Sequence, residues 1–353
     1  MLIRLSMKKL LRSMRSPFDF IFYFTVLFGA AGFSGCSSKD EVIVYTALDR
    51  EYSEPLFREF TEKTGVSVRA KYDSEAYKSV GLANLIIAES KRPRCDLFWN
   101  NEILNTLRLE SHDLLEAFPT KEAANYPEQF YDAEHHWHGF AARARVLLVN
   151  RNLVAEEDFP NSIHDLAAPE WQGKVGIAKP LFGTTATHAA CLFEFLGNET
   201  AEEFFAAVFR NARVFPGNKQ VAQAVSSGKI HFGITDTDDA IVELESGHPV
   251  AIVYPDQAEG ECGTLVIPNT LGLIRGGRNA PHAKKLIEFL LSSEVEERLA
   301  KGRSAQIPLA KNSAFSSDRV RSLSDIERMK VSFGAAARNW DNVNKTLKQM
   351  LNE

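Results

Sequence analysis

VIVYTALDREYSEPLFREFTEKTGVSVRAKY, residues 42–72, is the stretch that decides the fold class. It begins with the β-rich run Val42–Thr46. Pro55 then opens an amphipathic helical pattern that ends at Thr64-Gly65, and residues 66–70 alternate between apolar and polar like a second strand. A strand–helix–strand unit of this kind predicts an open, mostly parallel α/β sheet.

The same pattern continues toward the C-terminus. A helical pattern spans residues 77–89, and Asp96–Trp99 has the composition of a third strand. Ligands of open α/β sheets bind beyond the carboxyl ends of the strands. The polar residues that follow the first and third strands are therefore candidate ligand-binding residues, namely Asp49, Asn101 and Glu102.

A second α/β unit begins near residue 146, and further strand and helix patterns follow it to the end of the chain. Strands are predicted at 146–150, 173–178, 230–234, 250–254 and 271–274. Helices are predicted at 183–195, 201–211, 221–226, 281–291 and 340–351, with one more after a capping box of Ser293 and Glu296. This order predicts an α/β protein of two lobes around a central ligand cleft. We assign residues 42–140 and 253–310 to the first lobe, and residues 141–252 and 311–353 to the second.

Residues 1–35 have the pattern of a bacterial lipoprotein signal peptide. Five basic residues precede the short apolar run 20–28, and Phe33-Ser34-Gly35 leads to Cys36, which we predict to be the lipidated N-terminus of the mature protein. Residues 36–41 would form a tether, and the protein would be exported as a periplasmic or cell-surface lipoprotein. The alternative is an uncleaved anchor, but the apolar run is shorter than the about 20 residues that a bilayer span needs.

The charge of the chain excludes one broad class of partner. The chain has 41 Lys and Arg and 46 Asp and Glu; the leader holds five of the bases and one acid, which leaves 36 against 45, a net charge of −9 with neutral His. Such an acidic protein is not expected to bind nucleic acid in bulk, and its net charge mildly favours attraction of cations.

Three cysteines remain beyond Cys36, at positions 95, 191 and 262. They lack the spacing of a metal site, and an exported protein could pair two of them. We favour small buried thiols, which are common in protein cores.

Several motifs in a fixed order carry a resemblance to a known family. They are Val44-Tyr45-Thr46-Ala47, Pro55–Phe60, Lys63-Thr64-Gly65-Val66, Arg143–Asn150, the distinctive Leu166–Ile177, and Pro255-Asp256-Gln257 followed by Gly263-Thr264. Through these motifs, most of the segment 42–310 resembles the extracellular solute-binding proteins of ABC importers, in the ferric-ion-binding branch. The resemblance implies a type II periplasmic-binding-protein-like fold that closes like a hinge. It also implies a monomer with no catalytic activity, no required cofactor, and an ABC permease and ATPase as partners.

The resemblance also implies a cargo, Fe(III) or another hard cation, but the usual ligands are replaced. Ferric-binding relatives hold iron with two adjacent tyrosines after a second-lobe strand, where this chain has Asp238 and Asp239. Asp49 stands at the position of a frequent histidine, and Asn101 or Glu102 at that of a carboxylate. The carboxylates of Asp49, Glu102, Asp238 and Asp239 are hard donors that suit a hard cation.

Two alternatives remain open for these acids. They could instead pair with an organic amine, including an aminophosphonate. Asp238 or Asp239 could also cap the helix predicted at Ala240–Glu245. Adjacent residues converge only in a turn or a helix start, because neighbours on a strand point to opposite faces.

A separate group of residues predicts an anion subsite. Thr184 and Thr185 follow Gly183 where a helix begins, and the free N–H groups of a helix start bind anions. Arg143 could add a positive charge, and the resemblance implies that such a pocket holds a synergistic anion or a phosphonate. The alternative is a threonine N-cap with Arg143 on the surface.

Other functions receive less support from the sequence. A metal-dependent hydrolase could use Asp236, Asp238 and Asp239, but none of the usual hydrolase motifs accompanies them. A purely structural surface lipoprotein is a third class. His135, His136 and His138 invite a zinc site, although we favour a solvated loop because no ordered scaffold is evident.

Overall fold

The structure, a computed structural model, describes residues 40–72, 80–311 and 317–352. The predicted signal peptide, Cys36, residues 36–39 of the tether and the start of the helix predicted at 77–89 lie outside the described residues. None of the described helices combines the length and the hydropathy needed to cross a membrane.

The described strands form one hydrogen-bonded sheet in the order β2-β1-β3-β9-β4-β7-β5-β6, with β8 paired to β4. The strands are β1 (Glu41–Thr46), β2 (Ser67–Tyr72), β3 (Leu97–Asn100), β4 (Trp137–Asn150), β5 (Val175–Ala178), β6 (Ala212–Phe215), β7 (Phe232–Asp236), β8 (Val250–Val253) and β9 (Val266–Leu273). Strand pairing is parallel at both ends of the sheet, within β2-β1-β3 and within β7-β5-β6. The two middle strands, β9 and β4, pair antiparallel with their neighbours. The sheet therefore consists of two parallel α/β halves joined by two long strands.

Helices cover both faces of each half. They are α1 (Arg50–Thr64), α2 (Val80–Ala88), α3 (Leu104–Ser111), α4 (Gly183–Leu196), α5 (Asn198–Asn211), α6 (Asn218–Ser226), α7 (Thr237–Glu245), α8 (Ala280–Leu290), α9 (Ser293–Lys301) and α10 (Phe333–Met350). One apolar core lies between the sheet and the helices α1, α6, α7, α8 and α9. Two other apolar cores lie on the opposite face of the sheet. The helix α10 packs against α4 and also against α3, so it contacts both halves.

The first helix starts earlier than its sequence pattern predicts. Proline favours the first turn of a helix, yet α1 begins at Arg50 and contains Pro55 in its interior. The amides of Tyr52 and Ser53 donate to the carbonyl of Asp49, which closes the additional first turn. The helix ends as predicted at Gly65, whose φ of 75° is the left-handed conformation that glycine adopts easily. The early start places Glu51 and Tyr52 in the first turn of the helix that follows β1.

The strand β4 is the longest in the sheet, and all of its 14 residues are buried. It pairs with β9 along its first part and with β7 and β8 along its second. A strand covered on both faces is expected to be apolar throughout, and β4 contains four buried polar exceptions, of which two are charged, Arg143 and Arg145. Buried arginines are rare without a specific partner, so they mark this strand for closer inspection.

A β-bulge interrupts β4 between Phe140 and Ala142, where Ala141 has a φ of 41°. The carboxylate of Glu296 accepts hydrogen bonds from the amides of Ala141 (2.6 Å), Leu309 (3.0 Å) and Ala310 (2.8 Å). The predicted capping box of Ser293 and Glu296 is therefore wrong. The N-cap of α9 is Ser292, whose side chain makes no capping hydrogen bond. Glu296 is buried and accepts hydrogen bonds from the backbone of other segments.

The cysteines agree with the favoured prediction in two of three positions. Cys95 and Cys191 are buried and Cys262 is half-buried, and all three are free thiols in the described part of the chain. Burial raises the pKa of each, which disfavours the reactive thiolate.

His138 on β4 makes the fold sensitive to acid. Its Nε2 lies 2.9 Å from the carbonyl oxygen of Phe118, and burial lowers its pKa from 6.5 to about 4. Between these values the unfolded chain binds a proton that the folded protein does not. The free energy of unfolding should thus fall as the pH drops below about 6.5, and the loss, on the order of 3 kcal/mol from this residue, is complete below about 4.

We expect His138→Gln to flatten this pH dependence, measured by chemical denaturation at pH 7.5, 5.5 and 4.5. His112→Gln is the matched control because His112 is exposed at the end of α3. An unchanged slope in His138→Gln would contradict the assignment of this acid sensitivity to His138.

Candidate ligand-binding cleft

A cleft of about 460 Å³ opens where the segments after β1, β3, β5, β6 and β7 come together. Its polar lining comprises Asp49, Glu51, Tyr52, Asn101, Arg143, Lys179, Thr184, Thr185, Asn218, Lys219, Asp236, Asp238, Asp239, Glu243 and Arg303. The position agrees with the rule that ligands bind beyond the carboxyl ends of strands in open α/β sheets.

Most of the predicted ligand-binding residues lie together in this cleft. The residues brought together are Asp49, Asn101, Arg143, Thr184, Thr185, Asp238 and Asp239. Asp49 belongs to the segment after β1, and Asp238 and Asp239 belong to the first turn of α7. Acidic side chains from both halves of the sheet therefore share one cavity. Their role in binding stays a prediction.

Glu102 is the exception, because it is fully buried and does not line the cleft. Its carboxylate accepts hydrogen bonds from the backbone amides of Leu104 and Asn105 at the start of α3. It also accepts from the side chains of Asn100, Asn105 and Thr187, at 2.8–3.0 Å. With its oxygens used in this way, Glu102 holds α3 and α4 in place. We correct the predicted ligand set by removing it.

Arg143 lies at the base of the cleft and is 4 % exposed. Its Nη1 is 3.2 Å from Oδ2 of Asp238. Burial lowers the pKa of Arg143, but the negative charges of Asp238, Asp236, Asp239 and Asp49 outweigh burial and raise the pKa. The predicted alternative of a surface arginine is thus wrong, since the guanidinium is buried among four carboxylates.

Two polar groups at the base of the cleft lack partners. The Nε and Nη2 atoms of Arg143 are buried without a hydrogen-bond partner among the described residues, and so is Oδ1 of Asn101. Buried polar groups are nearly always hydrogen-bonded in native proteins. Unpartnered donors and an acceptor on residues that line the cleft favour a bound ligand with oxygen atoms that can accept from Arg143.

Asp238 and Asp239 converge because they lie in a helix turn. The helix α7 starts at Thr237 rather than at Ala240, and its N-cap is Asp236, whose side chain makes no capping bond. Oδ1 of Asp238 accepts from the amide of Asp239 at 3.2 Å. Burial raises the pKa of Asp238, an effect that Arg143 opposes and that Asp236 and Asp49 reinforce. A cationic ligand would therefore stabilise the ionised form of this carboxyl.

A hydrogen-bonded network that runs from the lining of the cleft to the buried Arg145 holds the second half of the sheet in position. Nη1 of Arg145 donates to Oδ1 of Asp236 at 2.6 Å, and both residues are at most 2 % exposed. The other carboxylate oxygen accepts from Thr184 (2.6 Å) and Asn218 (2.9 Å). Thr185 donates to Asn218 at 3.0 Å. This network joins the starts of α4, α6 and α7 to β4.

Because of this network, the predicted anion subsite is made of different groups from those that the sequence predicts. The helix α4 begins at Gly183, as predicted, and its N-cap Phe182 provides no side-chain cap. The amides of the first turn therefore have no intrahelical acceptor. The hydroxyls of Thr184 and Thr185, however, donate to Asp236 and Asn218. The amides at the start of α4 and the Arg143 guanidinium, rather than these hydroxyls, are the available anion-binding groups.

Several lining residues were not identified from the sequence. Lys179 directly follows β5, a predicted strand, so the strand-end rule already pointed to it. Asn218 and Lys219 follow β6, and the same rule would have identified them if β6 had been recognised. Glu51 and Tyr52 were not expected in the lining, because the sequence pattern starts this helix at Pro55 and the structure starts it at Arg50. Arg303 follows α9, and nothing in its local sequence places it near the cleft.

The lining of the cleft contains both carboxylates and arginines, so it suits a ligand that carries both signs of charge. One oxygen from each of Asp236, Asp238 and Asp239 lies within 4.8 Å of the others, and carboxylates are hard donors. Asp236 and Asp238 are already paired with Arg145 and Arg143. A bare cation would compete with these arginines, whereas a cation accompanied by an anion, or a zwitterion, would satisfy both signs of charge.

Comparisons with known proteins agree with the fold and the cleft. Residues 98–324 match the family model of the bacterial extracellular solute-binding proteins. The major ferric iron-binding protein of Neisseria meningitidis is 24 % identical over 280 residues, covering 76 % of this chain and 81 % of that protein. A putative 2-aminoethylphosphonate-binding periplasmic protein of Salmonella typhimurium is 25 % identical over 257 residues, covering 71 % and 72 %.

A solved structure of iron-bound HitA from Pseudomonas aeruginosa has a similar fold. It superposes with a TM-score of 0.78 at 20 % identity and covers 87 % of this chain and 99 % of HitA. The predicted two-lobed, periplasmic-binding-protein-like α/β fold is thereby confirmed, and the relatives are binding proteins rather than enzymes. Since the family model spans well over half of its length, this chain belongs to the bacterial extracellular solute-binding proteins.

Proposed function

We propose that this protein is the solute-capturing component of an ABC importer and that its cargo is Fe(III), bound together with a small oxyanion. One observation carries the proposal. Carboxylates from both halves of the sheet, Asp49 on one side and Asp238 and Asp239 on the other, line the same cleft around the buried Arg143. The relative from Neisseria meningitidis, named for ferric iron binding, supports this choice of cargo.

The two charges of the cargo would bind at different places. Asp49, Asp238 and Asp239 supply hard oxygen ligands for the cation. The Nε and Nη2 atoms of Arg143 and the first-turn amides of α4 bind the anion, which also relieves the repulsion among the carboxylates. Closure of the two lobes is driven by the contacts that the ligand gains only in the closed state.

The remaining parts of the proposal concern the setting of the protein. It is exported, held at the membrane by a lipid on Cys36, acts as a monomer, and delivers its cargo to a permease coupled to an ATPase. Residues 42–140 with 253–310, and 141–252 with 311–353, move as the two lobes.

A specific observation favours a second candidate, an aminophosphonate. The adjacent tyrosines of ferric-binding proteins are replaced by Asp238 and Asp239, and Asp238 is paired with Arg143. An ammonium group at the carboxylates and a phosphonate at Arg143 would match both signs of charge. The relative named for 2-aminoethylphosphonate binding supports this alternative.

Native mass spectrometry with metal analysis, on protein purified without added ligand, tests the proposal. We expect one iron per chain with an oxyanion, and saturable calorimetric binding of ferric citrate that exceeds the binding of 2-aminoethylphosphonate. A protein that contains no iron and binds only the aminophosphonate would replace the first candidate with the second. Product release from a bound organic compound would contradict both.

The iron complex is expected to lack the intense visible band of phenolate-bound iron. Tyr52 is the tyrosine that lines the cleft within the described residues, and its pKa is raised by burial and by the charges of Glu51 and Asp238. Ionisation of this phenol is thus disfavoured. The visible spectrum of the iron-loaded protein, with Tyr52→Phe as the control, checks this prediction. A deep red complex that loses its colour in Tyr52→Phe would show that Tyr52 is a ligand.

A further inference from the structure

The histidine-rich segment before β4, for which we favoured a solvated loop, is an ordered turn. The amide of His135 donates to the carbonyl of Asp132 at 2.9 Å, and the amide of Asp132 donates to that of Trp137 at 3.1 Å. Oδ2 of Asp132 accepts from the amides of Glu134 and His136, both at 3.1 Å. Hydrogen bonds to the backbone therefore provide an ordered scaffold that the local sequence pattern does not show.

This turn brings His136 against the last turn of α3. The Nδ1 atom of His136 is 2.9 Å from Oδ2 of Asp132, 3.8 Å from Oε1 of Glu110 and 4.0 Å from Oε2 of Glu134. One ligand atom from each of Glu110, Asp132 and His136 lies within 4.8 Å of the others. These three side chains are 20–27 % exposed, so an ion from solvent can reach them.

The electrostatic surroundings of this cluster favour a cation. Carboxylate oxygens of Glu110, Asp132 and Glu134 all lie within 4.0 Å of Nδ1 of His136, so three negative charges surround one imidazole. The indole Nε1 of Trp137 supplies an independent observation. Trp137 is 7 % exposed, its Nε1 lies beside the Glu110 carboxylate, and no acceptor in the described part of the chain meets Nε1 with full hydrogen-bond geometry. A donor in this position can orient a metal-bound carboxylate.

We propose that Glu110, Asp132 and His136 form a binding site for a divalent transition-metal ion, separate from the ligand cleft. One imidazole and two carboxylates are a donor set that suits Zn²⁺, with water in the remaining position. None of the three residues lines the cleft. A bound ion would join α3 to the turn that leads into β4, and it would stabilise the first half of the sheet without contact to the transported solute.

Titration of the chelator-treated full chain with ZnCl₂ tests this site, with calorimetry and native mass spectrometry as the readouts. We expect one Zn²⁺ per chain and a rise in the thermal unfolding midpoint. Both His136→Asn and Glu110→Gln should weaken binding at least about tenfold, because loss of one of three ligands removes a large part of the binding energy. His112→Asn, on an exposed histidine at the end of α3, is the matched control and should bind normally.

A cleft variant separates this site from the proposed function. Asp238→Ala with Asp239→Ala should retain the Zn²⁺ affinity of the unmodified protein whatever the transported solute is. The proposal is overturned if the chain shows no saturable Zn²⁺ binding, if His136→Asn and Glu110→Gln both bind as well as His112→Asn, or if the cleft variant is the one that loses binding.

Discussion

Replacement of Asp238 and Asp239 together by alanine is expected to lower the affinity for ferric citrate at least about 100-fold, since truncation of buried charged partners typically costs about 2–5 kcal/mol. The two carboxylates lie in the first turn of α7 and line the same cleft as Asp49. Their removal deletes two proposed ligands of the cation and leaves Arg143, which pairs with Asp238 at 3.2 Å, without its main counter-charge. Isothermal calorimetry measures the effect.

Two further variants make this result interpretable. Asp238→Asn with Asp239→Asn keeps the shape of the cleft and removes only the charge, so it should also lose the cation. Asp158→Ala removes an exposed acid from the short helix Glu156–Asp158 and should bind normally. Circular dichroism checks that the double variants fold. Affinity that is unchanged in a folded double variant would reject Asp238 and Asp239 as ligands.

Glu296→Ala is expected to have the largest effect on stability, a loss of about 3–5 kcal/mol in the free energy of unfolding. Glu296 is fully buried, and its carboxylate accepts hydrogen bonds from the amides of Ala141, Leu309 and Ala310. Alanine leaves these donors without an acceptor, and each buried unsatisfied amide costs about 1–3 kcal/mol. Urea denaturation gives the measurement.

The conservative variant and a neighbour complete this experiment. Glu296→Gln keeps one carbonyl oxygen as acceptor and should lose clearly less than Glu296→Ala. Glu294→Ala, an exposed acid in the same first turn of α9, should stay within about 1 kcal/mol of the unmodified protein. Equal stability of Glu296→Ala and Glu294→Ala would show that the backbone of the bulge does not depend on this carboxylate.

The location of the cleft could be predicted from the sequence because it follows from topology. Parallel strands bring their carboxyl ends to one edge, and Asp49 and Asp238 were identified as residues that follow strands. Arg143 and Arg145 were recognisable as a basic pair, and alternation along a strand places residues two apart on the same face. Their burial, by contrast, depends on the end of β7 and the starts of α4, α6 and α7, which pack against these side chains from distant parts of the sequence and which a local pattern does not contain.

Glu102 shows that a position after a strand does not by itself predict that a side chain lines the cleft. It follows β3 as Asp49 follows β1, yet the amides at the start of α3 and the hydroxyl of Thr187 use its oxygens. Whether a carboxylate faces solvent or caps a helix is decided by partners far apart in the chain. The same holds for Arg303 in the cleft and for Glu296, which looked like part of a local capping box and instead supports a distant bulge.

The pairing of β4 has a consequence for the order in which the chain can fold. β4 ends at Asn150, but its hydrogen-bonding partners β7, β8 and β9 begin at Phe232, Val250 and Val266. β9 is also the strand that separates β3 from β4. The first half of the sheet is therefore incomplete until more than two-thirds of the polypeptide has been synthesised. Contacts of such high sequence separation slow folding, and a slow folder keeps its nascent chain unfolded for longer, the state in which a chain can be threaded through a membrane translocase.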